Sequence, residues 1–293
     1  MIRKIKNIIY YIVGFICFVL ILFTLFNDYI LESNAVMPDN NINGKMVIHY
    51  VDIDHGDATF IELPNKKTML IDSGEYDKRM IIKNYIDNLG YTKIDYVIGT
   101  HPHSDHIGSL AFIIDNYDIG KVYLPKVDNN TKSYEYLLKA IDKKGLKVKI
   151  ARKGVKLANY DNFKMYFISP SKEYYEELNN YSAVLKIDYY KKSFLFMADA
   201  EKLVEDEITD DVKANAIRVA HHGSFSSSSI GFVNRVNAEY AIISVGNNDY
   251  NFPRKEIINR WKNSGATVYR TDKNGTIKLI TNGSSIKIET EKR

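Results

Sequence analysis

A mixed α/β chain with two sheets packed together, helices outside them and one membrane-spanning helix ahead of them, is the fold class this sequence predicts. Three observations predict it. Residues Ile8 to Phe26 are almost wholly apolar. From Lys45 onward, short strand-like runs set off by turn residues alternate with segments of helical spacing. Antiparallel meanders fall in both halves, interrupted by βα units, which favours two packed sheets over one doubly wound parallel sheet.

The apolar run comes first. About 19 residues at 1.5 Å rise reach across a roughly 30 Å hydrocarbon core. Arg3, Lys4 and Lys6 precede the run while Asp28 and Glu32 follow it, so the positive-inside tendency keeps the N-terminus cytoplasmic and sends the rest across. Residues 1–30 therefore read as a membrane anchor or uncleaved signal, giving a single-pass protein of the cell membrane with its catalytic part extracellular. Ser33 and Ala35 satisfy the small-residue spacing of a cleavage site, so a cleaved signal peptide and a secreted protein form the alternative. Residues 31–44, rich in Asn, Asp and Pro, read as a linker. Residues 45–293 then form one catalytic domain, which suits the size to which a single core grows.

Within that domain MVIHYVDI, ATFIEL and TMLID form a meander separated by DHG and PNKK. MIIKNYIDNL has helical spacing, IDYVIGT reads as a buried strand, and helical character resumes from Ile107 to Asn116. KVYLP, KVKI, FKMYFIS, SAVLKIDYY and SFLFMAD read as strands and SYEYLLKAIDKK as a helix. NAIRVAHHG runs from strand to loop, EYAIISVG is a strand, and PRKEIINRWKNSG is a helix with Pro253 near its start and Gly265 at its end. TVYRT and GTIKLI close the chain. The 22 tyrosines are spread through strands and helices and read as packing residues.

Composition limits the chemistry. The chain is 45% hydrophobic and 26% charged, which is globular rather than disordered. Its net charge of +4 comes from scattered lysines, permitting a polyanionic substrate without arguing for one. The one cysteine, Cys17, lies in the apolar run, so neither an intrachain disulfide nor a thiolate metal site can form.

Five of the seven histidines fall in two clusters, His101, His103 and His106 in THPHSDHIG and His221 and His222 in AHHGS. The first cluster follows a buried strand, where a loop at the sheet's edge can aim several side chains at one point. Imidazole and carboxylate are ligands that borderline divalent metals accept near pH 7. Four donors in six residues predict two metals, His101 with His103 for one and Asp105 with His106 for the other. Burying these groups together without a metal would leave several polar atoms to satisfy.

The run HPHSDHIG is similar to the HxHxDH motif of the metallo-β-lactamase superfamily. IDSG from Ile71 to Gly74, MADAE around Asp199 and AHHGS resemble its other motifs in the same order. With DHGDA near Asp57 and NNYS near Ser182, the combination most resembles the hydrolase domain of the competence DNA-uptake channel family (ComEC) and its stand-alone relatives. The resemblance implies an αββα four-layer sandwich and two divalent ions. It implies that Asp199 bridges both metals, that His221 completes the second, and that Asp72 supports the site from beneath. His222 is expected to contact substrate or to act beside Asp105 in catalysis, and Gly223 and Ser224 to bind substrate at the entry to the helix IGFVNRV.

One departure matters. No histidine occurs from Ile107 to Ala198, between the first cluster and Asp199, where many superfamily members carry another ligand. Asp57, Asn180 or Ser182 could stand in, and oxygen ligands would admit manganese beside the expected zinc. His49 alternates within a strand and reads as structural; His55 could touch substrate or lie free in its turn.

Two ions sharing a water would lower its pKa and supply hydroxide as nucleophile. The expected activity is a phosphodiesterase or nuclease acting outside the cytoplasm, on nucleic acid or another phosphodiester. Hydrolysis of a β-lactam, lactone or thioester is the alternative, because fold does not fix function. A non-catalytic metal-dependent binding module is a third reading. The membrane is the expected partner, and no protein partner is predicted.

Overall fold

This computed structural model describes residues 44–292. The expected anchor over 1–30 and all but the last residue of the linker over 31–44 lie outside the described residues. Among the described residues, no helix is long and apolar enough to cross a membrane.

The first half runs β1 (Met46–Tyr50), β2 (Thr59–Glu62), β3 (Thr68–Ile71), α1 (Arg79–Asn88), β4 (Lys93–Ile98), α2 (Ser104–Ile107), α3 (Leu110–Asn116), β5 (Asp118–Leu124), α4 (Lys132–Lys143) and β6 (Val148–Ile150). The second half runs β7 (Lys156–Asn159), β8 (Phe163–Phe167), β9 (Leu185–Tyr189), β10 (Lys192–Phe196), α5 (Lys202–Glu207), β11 (Ala216–Arg218), α6 (Ile230–Val236), β12 (Tyr240–Ile243), α7 (Lys255–Asn263), β13 (Thr267–Arg270), α8 (Thr271–Asn274), β14 (Ile277–Thr281) and β15 (Ile286–Thr290). Eight strands form one sheet in the order β15-β14-β1-β2-β3-β4-β5-β6, and seven form the other in the order β13-β12-β11-β10-β9-β8-β7.

Period-2 alternation explains how the sheets meet. In β8, Phe163, Met165 and Phe167 are buried while Lys164 and Tyr166 point the other way. The inward set packs with Met46, Ile48 and Tyr50 of β1 and with Phe194 and Phe196 of β10 to form the core between the sheets. Two further cores lie outside. Ile82 and Ile86 of α1 and Leu137 and Ile141 of α4, each pair four residues apart, pack against Phe60, Leu70 and Val97 of the first sheet. On the second sheet, Ile257 and Trp261 of α7 pack with Leu195, Ile217 and Ala241. Burying an aromatic such as Trp261 stabilises by about 2–3 kcal/mol, and its indole nitrogen still donates to Ser228 Oγ at 3.2 Å. Helix, sheet, sheet, helix is the four-layer arrangement expected from the motifs.

Two strands escaped the sequence expectation. β7 carries two apolar residues in four, and β15 follows GTIKLI, which had been expected to close the chain. Both are edge strands, where half the hydrogen-bonding groups face solvent and apolar patterning is weakest. β15 pairs antiparallel with β14, which pairs antiparallel with β1.

Candidate metal centre

Strand ends bring the singled-out residues together. Asp72 directly follows β3, the His101–His106 loop follows β4, Asp199 lies three residues beyond β10, and Arg218 ends β11. His221 and His222 share one tight turn, Ala220–Gly223, and both adopt left-handed backbone at φ +49°. Such strain in non-glycine residues persists only where surrounding structure over-determines it.

Asp199 stands at the middle. Its Oδ1 lies 3.2 Å from His106 Nε2, and its Oδ2 lies 3.6 Å from His222 Nε2, 3.8 Å from His221 Nε2 and 4.0 Å from His101 Nε2. Donor atoms of Asp105, His106, Asp199 and His222 all fall within 4.8 Å of one another. His101 Nε2 also meets His103 Nδ1 at 3.1 Å. Expected at the substrate, His222 therefore joins the Asp105 group, with its Nε2 3.3 Å from Asp105 Oδ2. His221, expected in that group, pairs its Nδ1 with Ser226 Oγ at 2.9 Å and sets it 3.6 Å from Glu201, which leaves its Nε2 3.8 Å from Asp199 Oδ2 at the edge of the cluster.

Hydrogen bonds on the far side of each ring decide which nitrogen faces the cluster. Asp72 is fully buried and takes three donors: Thr100 N at 2.8 Å, Thr100 Oγ1 at 2.6 Å and His106 Nδ1 at 2.7 Å. Because the Thr100 hydroxyl gives its proton to Asp72, it accepts from His101 Nδ1 at 3.2 Å. His222 Nδ1 donates to the Ser244 carbonyl at 2.8 Å, so the 3.3 Å approach of an Arg218 nitrogen to the same atom is no hydrogen bond. In each case Nδ1 carries a proton, which leaves Nε2 as the atom that faces the cluster.

The bare nitrogens have nothing to bind. His106 Nε2 and His222 Nε2 are buried with no hydrogen-bond partner, although His106 Nε2 lies 3.2 Å from a carboxylate oxygen. Two lone pairs at that distance repel, so the contact calls for a proton or a metal cation between them. The donor set fits a divalent ion: His106 and His222 with Asp105 and Asp199 bring two imidazoles and two carboxylates together.

The titration behaviour says the same. Burial works against charge on Asp199, and the imidazoles of His106, His222 and His221 outweigh it, holding its pKa well below the usual carboxylate range. Asp105 is likewise held low, His106 and His222 outweighing its burial. Burial disfavours charge on His106, yet Asp199, Asp105 and Asp72 overcome it and hold its pKa well above the ordinary histidine value. Burial and neighbouring His106 push His101 well below that value. The carboxylates thus favour the protonated imidazolium of His106, and a metal ion at Nε2 would take the place of that proton.

Arg218 was missed in the sequence. Its side chain is buried beneath the cluster, with Nε 2.7 Å from Asp57 Oδ2 and Nη1 3.4 Å from Asp199 Oδ1. It also donates to the carbonyls of Ala198 and Val219. Burial opposes its charge, and Asp57 and Asp199 raise its pKa all the same. Asp57 is thus a partner of Arg218, with Oδ1 buried and unpaired. An arginine closing a β-strand beside AHHGS was the available signal.

The other expected residues fall around the site. Ser182 Oγ accepts from Asp199 N at 3.1 Å, fixing the backbone of the central carboxylate. Asn180 donates to Glu201 at 3.3 Å. Gly223 is buried and packed on Pro253, and Ser224 Oγ accepts from Ser226 N at 3.3 Å; these two shape the turn, and neither lines the cleft. His49 is buried between Tyr85 at 2.8 Å and Glu62 at 2.9 Å. His55 lines the cleft, 3.7 Å from Asp105. That cleft, of about 530 Å³, is also lined by Glu75, His103, Tyr250 and Phe252; Tyr250, read as packing, is an exposed rim residue.

Layered fold and converging donors define a metal-dependent hydrolase. Residues 51–246 match the metallo-beta-lactamase superfamily, and the chain belongs to that superfamily. ComE operon protein 3 of Bacillus subtilis is 27% identical over 251 residues, covering 78% of this chain and 32% of that protein. Recombination protein 2 of Haemophilus influenzae is 25% identical over 236 residues, covering 78% of this chain and 28% of its own. Both are competence-family relatives, and the chain spans about a third of their length. Among solved structures, CmlA, a diiron beta-hydroxylase from Streptomyces venezuelae, superposes with TM-score 0.54 at 13% identity, covering 78% of this chain and 53% of its own. At that identity the likeness is one of fold.

Proposed function

We propose that this chain hydrolyses phosphodiester bonds, with nucleic acid as substrate, using two divalent ions that the donors gathered at Asp199 would hold. The observation that carries the reading is the cluster about that one carboxylate: donor atoms of Asp105, His106 and His222 lie within 4.8 Å of one another and of Asp199, and His101 Nε2, paired with His103 Nδ1, lies 4.0 Å from Asp199 Oδ2. Zinc suits the imidazoles, and the carboxylate share admits manganese. Ions there would supply Lewis-acid stabilisation of a phosphoryl oxygen and an acidified water.

The chain's own residues do the positioning. Asp72 and Ser244 hold the imidazoles with Nε2 forward, Arg218 and Ser182 hold Asp199, and His221, partly exposed at the rim, is placed to meet substrate. The competence relatives support nucleic acid as the substrate class. The apolar run Ile8–Phe26 behind Arg3, Lys4 and Lys6 supports an anchored chain with this site outside the cytoplasm.

The full chain should cleave bis-p-nitrophenyl phosphate and single-stranded DNA with Mn²⁺ or Zn²⁺ and lose at least about 100-fold with chelator or in Asp199→Ala. Nitrocefin and a lactone should go unhydrolysed; turnover of either with no phosphodiester cleavage would overturn the reading. Intact cells should cleave added oligonucleotide as fast as lysed ones, and activity latent until lysis would sink the outward placement.

A further inference from the structure

The cleft has one wall that the metal chemistry does not use. Between β12 and α7 the chain presents Tyr250 and Phe252, whose rings stack at 5.6 Å between centroids and 22° between planes. His55 flanks Tyr250 at 5.9 Å and His221 flanks Phe252 at 5.5 Å. The aromatic band thus continues from the rim to the histidines beside Asp199. Tyr250 is 61% exposed. Stacked on Phe252 at the mouth of the cleft, its exposed ring offers a surface that a ligand entering the cleft can cover.

The loop is fixed before any ligand arrives. Asn248 spends both ends of its amide inside it, donating to the carbonyls of Gly246 at 2.9 Å and Phe252 at 3.0 Å and accepting from the amides of Tyr250 at 3.1 Å and Phe252 at 2.9 Å. Asn247 N donates to Asp54 at 2.8 Å, tying the loop to the β1–β2 connection. Behind the shelf the Arg254 guanidinium sits 5.7 Å from the Phe252 ring and 4.9 Å from the exposed Phe225 ring, and its buried Nε has no hydrogen-bond partner. A cation packed against two rings beside the cleft adds favourable charge for a polyanion.

We propose that Tyr250 and Phe252 form a shelf on which an unpaired nucleobase stacks while the neighbouring phosphodiester enters the metal cleft, so that the site prefers single strands. The proposal rests on the phosphodiesterase reading and names its substrate subsite. Stacking requires a free π-face, which paired bases inside a duplex do not offer, and it tolerates any base. The exposed tyrosine face therefore selects strandedness rather than sequence.

The test uses the full chain with Mn²⁺ and two strands: oligothymidylate, and the same strand with abasic residues. In the unsubstituted protein KM should be about tenfold lower for the base-bearing strand, the scale of one base–aromatic contact. In Tyr250→Ala that KM ratio should fall to about one, and in Tyr250→Trp it should return. A ratio that Tyr250→Ala leaves at its original value overturns the shelf while the phosphodiesterase reading stands. Absence of cleavage of both strands and of bis-p-nitrophenyl phosphate would bring down both.

Discussion

Replacing Asp72 by asparagine keeps its shape but exchanges one acceptor oxygen for a donor. At this position no orientation of the amide is harmless, because Thr100 N approaches one carboxylate oxygen while Thr100 Oγ1 and His106 Nδ1 approach the other. A donor set against His106 Nδ1 drives its proton to Nε2 and removes the lone pair from the metal side. Set against the threonine amide, it breaks the tie that holds the His101 loop. Asp72→Asn should therefore weaken Mn²⁺ or Zn²⁺ binding by about 10- to 100-fold, the usual effect of losing a partner that orients a ligand. Titration against a competing chelator measures it, and unchanged affinity would refute the orienting role. Residue types and spacing made the donors readable in the sequence, but not their directions. Nothing in AHHGS says which of two adjacent histidines turns inward, because left-handed backbone at both reverses the usual alternation. Arg218 was readable only as an arginine closing a strand beside AHHGS; its role needs the carboxylates of Asp57 and Asp199 seen beside it.

Turns show how little a short element tolerates. Gly223 closes the turn that carries both histidines, at φ +81°, and a Cβ there would lie 2.6 Å from Pro253 Cβ and 3.2 Å from its Cα. Its carbonyl also accepts from Arg254 N at 3.0 Å, joining the turn to the segment that leads into α7. Gly223→Ala should destabilise the protein by about 1–3 kcal/mol, from left-handed strain and the contact with proline together. Urea unfolding measures this, and a change below about 0.5 kcal/mol would mean the turn yields freely. Longer elements were legible because periodicity accumulates over them: α4 shows Leu137, Ala140 and Ile141 buried in a pattern visible in SYEYLLKAIDKK. β7 and β15 lack that advantage, since β15 alternates only Ile286 and Ile288 with Lys287 and Glu289. The tyrosine default failed at Tyr250 because aromatic type does not reveal exposure; only its loop does.

At the scale of the molecule, the two sheets make the site by meeting at one edge, and the halves of the chain contribute unequally. The first sheet supplies Asp72 and the His101–His106 loop, and the second supplies Asp199, Arg218 and the histidine turn. That convergence followed from motif order, whereas the return of the C-terminal β14 to pair with β1 across more than two hundred residues did not, because register between distant strands is set by packing and not by local pattern. Each sheet thus brings donors to a shared seam, where Asp57 and Asp199 face the Arg218 guanidinium and Asp105, His106, Asp199 and His222 crowd together. A divalent ion that binds the seam and not the unfolded chain must stabilise the whole sandwich by mass action, by about 2.7 kcal/mol at a hundredfold excess over its Kd. For a domain of this size that is a rise of about 5–10 °C in Tm. Mn²⁺ added to chelator-treated protein should give this shift, and Asp199→Asn should lose most of it because both donor sets depend on that carboxylate. Should Tm stay flat in the unsubstituted protein at millimolar Mn²⁺ and at stoichiometric Zn²⁺, the converging donors would have no cation to hold, whatever their geometry.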